Sequence, residues 1–177
     1  MRKVAVLVGD MYHHEELQVP ANAIEEAGYE ITLIGKEANI KLQGVYGGTV
    51  ETQLGIGEVD PLDFDALFIP GGFSPDILRA DDRFVSFVKK FDFTNKPIFA
   101  ICHGPQLLIN ADILQGKQMT GYKSIHMDLR NAGAIVYDEP VVVWNHSLVT
   151  SRTPDDLKHF TVAIISVLNK KNKLQYS

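Results

Sequence analysis

The stretch Pro97-Ile98-Phe99-Ala100-Ile101-Cys102-His103-Gly104-Pro105 decides the fold. Residues 97–101 form a short, continuous apolar run, the pattern of a strand buried on both faces, as in a parallel sheet. The turn residues follow at once. Pro105 suits the first turn of a helix, where a missing N–H costs nothing, and helical spacing continues to Leu114. A buried strand running through a tight turn into a helix is half of a βαβ unit, and the same grammar repeats outward in both directions.

Toward the N-terminus, residues 3–8 read as a second buried strand and residues 15–27 as a helix, with Leu17, Ala21, Ile24 and Ala27 on one face and Gly28 as its stop. Pro20 predicts that the regular part of this helix begins close to it. Residues 29–34 give a strand, and the Gly-rich segment 44–57 a small hairpin or edge excursion. Residues 65–69 form a strand that runs into Pro70-Gly71-Gly72, and residues 82–91 a helix with Phe84, Val85, Val88 and Phe91 inward. Beyond the central turn come a helix over 124–132 closed by Gly133, and short strands near 134–137, 140–143 and 147–150. A last helix runs from Pro154 to about Leu168, capped by Thr153. The whole predicts a single α/β domain over residues 1–177. It is a doubly wound, mostly parallel, flavodoxin-like sheet sandwiched by helices, with residues 168–177 as a mobile basic tail.

Composition narrows the function classes. A net charge of −5 without a Lys/Arg cluster argues against a nucleic-acid surface. No apolar run reaches bilayer length, and residues 4–8 are too short for a signal segment, so a cytoplasmic protein without membrane contact is expected. One cysteine excludes an internal disulfide and a multi-cysteine zinc site.

Free cysteine is ordinarily an inert, buried small hydrophobe. Cys102, however, stands at a strand-to-helix turn with glycine close by, the mechanics of a nucleophile elbow. A helix N-terminus favours thiolate, and free backbone N–H groups at such a turn suit an oxyanion. The position therefore predicts an accessible thiol whose pKa lies below that of free cysteine.

Ala100-Ile101-Cys102-His103-Gly104-Pro105-Gln106, with Ile69-Pro70-Gly71-Gly72 upstream and Thr150-Ser151-Arg152-Thr153-Pro154-Asp155-Asp156-Leu157 downstream, closely resembles the PfpI family. That family holds intracellular peptidase-like and deglycase proteins, within the superfamily of class I glutamine-amidotransferase-like folds. The resemblance spans residues 3 to about 168. It implies that Cys102 is the nucleophile, that His103 is the histidine of the peptidase-like site and an N–H donor to an oxyanion, and that Glu16 hydrogen-bonds the thiol. Gly72, beside Gly71, would give the second oxyanion N–H. PfpI-type hexamers complete a Cys-His-acid set with a carboxylate from a neighbouring subunit; Asp76 holds that position here, one methylene shorter than Glu. Tyr122 falls where the family lines the site.

His13-His14-Glu15-Glu16 has metal-ligand chemistry, but adjacent residues seldom converge on one ion, so a polar loop is the reading and no metal or other cofactor is expected. His13 and His14 should lie near Cys102 and tune pocket charge, with His14 among the residues lining the substrate pocket. His126, His146 and His159 read as surface histidines; Trp144 and Tyr137 as packing at a sheet edge or interface. Superfamily glutaminases need a histidine near residues 150–156, and none is present.

The expected function is that of a stress-protective enzyme acting on reactive dicarbonyls or their early protein adducts through Cys102 and Glu16. A cysteine peptidase using Cys102, His103 and Asp76 across a subunit interface is the second reading. A redox-sensing or chaperone-like protein, its cysteine open to oxidation, is the third. A homodimer or hexamer is expected with either enzyme.

Overall fold

The structure is a computed structural model and describes residues 2–175. In chain order its elements are β1 (Lys3–Leu7), α1 (His14–Glu26), β2 (Glu30–Gly35), β3 (Lys41–Gln43), β4 (Thr49–Glu51), β5 (Leu54–Gly55), β6 (Ala66–Ile69), α2 (Ser74–Arg79) and α3 (Asp82–Asp92). Then follow β7 (Ile98–Ile101), α4 (Pro105–Asn110), β8 (Gln118–Met119), α5 (His126–Asn131), β9 (Ile135–Val136), β10 (Val141–Trp144), β11 (Leu148–Ser151) and α6 (Leu157–Gln175).

Seven strands make the main sheet, in the order β10-β11-β7-β6-β1-β2-β5. All neighbours are parallel except β10, which runs antiparallel to β11 at the edge. Strand alternation builds the two layers. Val4 and Val6 of β1, with Phe68 and Phe99, face α1 and α6; Ala5 and Leu7, with Leu67, Ile69 and Ala100, face α3 and α4. Both faces are therefore sealed, which explains why these strands read as unbroken apolar runs. Phe68 meets Phe160 of α6 at 6.1 Å between ring centroids, and each such side chain contributes about 1.5–3 kcal/mol on burial.

β1 lies between β6 and β2, so the chain reverses its direction of winding there, and a crevice opens beyond the carboxyl ends of β1 and β6. The loops after β1, β6 and β7 meet in it.

Four sequence expectations change. α1 begins at His14 and carries Pro20 within it, because His13 already caps the helix. α4 ends at Asn110 rather than Leu114, since Asp112 turns left-handed at φ 57°. Thr153 makes no capping bond with its side chain, and the chain enters α6 through a 3-10 turn at Pro154–Asp156. α6 runs past Leu168 to Gln175, where a mobile tail was expected. Tyr29 hydroxyl donates to Asn172 Oδ1 at 2.8 Å and Lys171 Nζ to the Asn95 carbonyl at 2.7 Å, so the basic residues are tied down as helix. Residues 176–177 of the expected tail lie outside the described residues. α2 is an addition, started by Pro75 in its first turn.

Candidate active site

Cys102 holds φ 60°, the left-handed region that costs a non-glycine residue roughly 1–2 kcal/mol. Its own backbone is held on both sides: its N–H donates to the Ser151 carbonyl at 3.0 Å, and its carbonyl accepts from the Tyr122 N–H at 2.8 Å. Gly104 must be glycine, because a Cβ there would stand 2.6 Å from the Ile69 carbonyl oxygen. The elbow is thus wedged against the end of β6.

The second turn is pinned to the loop after β1. His13 N–H donates to the Gly71 carbonyl at 3.1 Å and Phe73 N–H to the Met11 carbonyl at 2.7 Å, with Gly72 between them at φ 76°. A Cβ on Gly71 would overlap Glu16 Oε1 and come within 2.8 Å of Cys102 Cβ. Glycine at 71 is what lets a carboxyl group from α1 reach the cysteine.

Glu16 is fully buried, on the first turn of α1. Its carboxyl lies against the Cys102 thiol and the Gly71 and Gly72 backbone. The fit is loose, since neither oxygen has a partner at full hydrogen-bond geometry. Among the described residues no Lys or Arg pairs with it. Burial pushes its pKa up to about 8, against the pull of the thiol and the two glycine amides. It is a carboxylic acid kept protonated near neutrality.

The thiol departs from the sequence expectation. Cys102 is only 8% exposed. Burial first, and then the charge of Glu16, push its pKa above the ordinary cysteine value, while the His103 and Gly72 N–H groups pull it down. A helix N-terminus alone does not set this thiol; desolvation outweighs it. The same contacts place two backbone donors, Gly72 and His103, around the sulfur, which is where an oxyanion would need them.

The His103 imidazole packs against Tyr122, ring centroids 5.0 Å apart. Burial lowers its pKa, and Asp76, exposed on the first turn of α2, partly opposes this. Asp76 therefore already acts on His103 within one chain. His13 caps α1, its Nδ1 accepting from Glu16 N–H at 3.4 Å, with its ring edge-on to Tyr46 at 5.4 Å. His14 is committed elsewhere: its Nδ1 meets the Tyr12 hydroxyl at 2.9 Å and its ring fills the space over Gly48. His126 is half-buried, its Nε2 2.8 Å from the Gly121 carbonyl, rather than on the surface. Among the described residues no three His, Cys, Asp or Glu side chains converge as metal ligands. Sequence reasoning missed Tyr12, wholly buried beside His14; its only signal was an aromatic just beyond the end of a strand.

These features define an α/β protein with a cysteine elbow paired to a buried acid. The DJ-1/PfpI family model matches residues 2–167, and the chain belongs to that family. It is 53% identical over 167 residues to the putative cysteine protease YraA of Bacillus subtilis, covering 94% of this chain and 98% of that protein. It is 48% identical over 168 residues to protein/nucleic acid deglycase 2 of Escherichia coli, again covering 94% and 98%. Among solved structures, a two-domain protein of Anabaena variabilis with DJ-1/ThiJ/PfpI-like and ferritin-like domains superposes with a TM-score of 0.92. It is 40% identical, and the match covers 96% of this chain and 48% of that one.

Proposed function

We propose that the protein is a cysteine-dependent, stress-protective enzyme that converts reactive dicarbonyls, or their early adducts on amines and thiols, to hydroxy acids. One observation carries this reading: the Cys102 thiol shares its pocket with a buried Glu16 carboxyl whose pKa is raised to about 8. Such an acid holds a proton at neutral pH and gives it up within the pocket.

Cys102 adds to the aldehyde carbon, forming a C–S bond, and the carbonyl oxygen takes up the negative charge under the Gly72 and His103 N–H groups. Glu16 gives its proton to that oxygen and takes up the proton of the Cys102 thiol on its other carboxyl oxygen, ending neutral as it began. Glu16 next takes the hydrogen of the attacked carbon as a proton while giving its own to the neighbouring carbonyl oxygen. The enediol so formed receives the carbon-bound proton back on the neighbouring carbon and loses its first hydroxyl proton to Glu16, oxidising one carbon and reducing the other. Water hydrolyses the resulting thioester to the hydroxy acid and frees the thiol. The balance needs only water. Incubation with methylglyoxal tests it: lactate formed over many turnovers supports the enzyme, whereas thiol lost once per chain without turnover points to a redox sensor.

The second reading is a cysteine peptidase, favoured by the influence of Asp76 on His103. Against it stands the imidazole's position on Tyr122. Casein or fluorogenic peptide hydrolysis that vanishes in Asp76→Asn would support it.

A further inference from the structure

A cavity of about 390 Å³ opens at the carboxyl ends of β1 and β2, walled on one side by Ile77 and Leu78 of α2. Its size falls in the roughly 300–1,000 Å³ range of ligand pockets. Val8, Leu42, Leu78 and Phe84 form buried apolar walls, and Ile40 and Ile77 stand half-open at the mouth. Asp10, Glu37, Asp81 and Lys36 rim it. Three carboxylates thus face two cations, Lys36 and Arg83; Arg83 pairs with Asp81 at 2.7 Å and also acts on Glu37. The rim is acidic over an apolar floor.

Two features connect the cavity to Cys102. Asp76 and Leu78 project from opposite faces of α2, the first acting on His103 and the second lining the cavity. One helix width, roughly 10 Å, separates the two sites. Flanking the Gly72 turn, Met11 and Phe73, joined by the 2.7 Å bond between their backbones, expose apolar side chains at 41% and 54%. Apolar surface is thus exposed on the turn that leads from Gly72 into α2.

We propose that the cavity receives an apolar side chain of a polypeptide with a cationic residue beside it, so that Cys102 acts on an adduct borne by that polypeptide. This rests on the dicarbonyl reading above. A free dicarbonyl needs no apolar cavity. A second copy of the chain, at net charge −5, meets an acidic rim with like charge, whereas Lys- and Arg-bearing segments complement it. Roughly 10 Å is three extended residues. The anchoring residue therefore sits three positions from the modified lysine.

The probe is a fluorescent peptide reading trimethyl-lysine, Leu, Gly, Gly, Lys, whose quaternary cation forms no adduct. It is measured for binding by anisotropy, and its methylglyoxal adduct for turnover. Ile40→Arg, at an exposed position, removes apolar surface and repels the cation. It is expected to weaken peptide binding and lower kcat/KM on the peptide adduct about tenfold or more, with methylglyoxal turnover unchanged. Glu37→Lys should act in the same direction. Unchanged binding in both variants, or equal losses on adduct and free methylglyoxal, would overturn the proposal. So would wild-type binding that appears only as the protein is diluted, because the cavity would then belong to a second copy. Peptide binding that responds to Ile40→Arg with no turnover of either substrate would keep the cavity and refute the dicarbonyl reading instead.

Discussion

Among the described residues two side-chain carboxyl groups are buried, Glu16 and Asp156, and the chain treats them in opposite ways. Asp156 meets the guanidinium of Arg152 as a fork, Nε to Oδ2 at 2.9 Å and Nη2 to Oδ1 at 3.2 Å. Arg152 is braced in turn by Asp138 at 3.1 Å. Among the described residues Glu16 meets no Lys or Arg; a thiol and two glycine amides lie against it, none at full hydrogen-bond geometry. Burial is the same for both; the partner differs. The carboxylate paired with Arg152 ties the segment after β11 to the start of α6, as structure. An unpaired one moves its pKa and becomes a reagent.

The sharpest break between them is in how stability responds to pH. Glu16 has a folded pKa of about 8 against an ordinary value of 4.5, so between these pH values the folded state binds a proton the unfolded state does not. Its contribution is fully present below about pH 4.5 and is lost as pH rises through 8. The full shift corresponds to an effect of order 5 kcal/mol. Urea unfolding at pH 5, 7 and 9 should show the wild type losing stability relative to Glu16→Gln across this window. Parallel pH profiles would mean that Glu16 is charged at neutrality after all.

The same variant has a kinetic consequence. If Glu16 delivers the proton, Glu16→Gln lowers dicarbonyl turnover by about 10²-fold or more, the scale of a general acid–base group. Steady-state lactate formation reads this directly. A loss under threefold would return Glu16 to the class of Asp156, a structural acid.

The contrast was half legible in the sequence. The strands were plain, because both sheet faces are covered and the apolar runs therefore carry no alternation. The elbow was plain too: Cys102-His103-Gly104-Pro105 combines a nucleophile with the two residues that a strand-to-helix turn needs. What the sequence concealed was burial. The direction of the thiol shift depends on desolvation and on a carboxyl brought from α1, 86 residues upstream in chain order (102 − 16). Pro20 misled because helix rules assign it to a first turn, whereas here the cap at His13 and packing on the sheet carry the helix through it. At the end of α6 charge alone predicts a loose tail, whereas Lys171 is bonded to the Asn95 carbonyl and Asn172 to the Tyr29 hydroxyl.

Breaking the other carboxylate should cost stability and leave the chemistry alone. Arg152→Met strands Asp156 without its cation. Removing one partner of a fully buried pair costs about 3–5 kcal/mol, and the partial exposure of Arg152 reduces this to about 2 kcal/mol. For a chain of this length that is a fall of roughly 4–8 °C in Tm. Calorimetry alongside lactate formation per folded molecule checks it; turnover should stay within twofold. A variant as stable as the wild type would show that the fork adds nothing net.

The smallest effect belongs to Asp76, the exposed carboxylate that acts on His103 at a distance. Burial lowers the imidazole pKa and Asp76 partly restores it, so Asp76→Asn should lower the His103 pKa further. NMR titration of the His103 ring reads this shift. Water screens an exposed group, and the imidazole is not needed for proton delivery by Glu16, so dicarbonyl turnover should change less than about threefold. Peptidase activity, if Cys102 and His103 support it, should be abolished. Assembly separates the two sources of the carboxylate. If the chain's own Asp76 is the relevant one, the His103 shift and any peptidase activity are constant over a dilution series followed by sedimentation velocity. If a neighbouring subunit supplies it in a dimer or hexamer, both fall as the oligomer dissociates, while dicarbonyl turnover through Cys102 and Glu16 holds, because those two residues come from one chain. A dicarbonyl activity that falls with the oligomer would instead make the trans carboxylate part of the same reaction and remove the division between Glu16 as reagent and Asp76 as bystander.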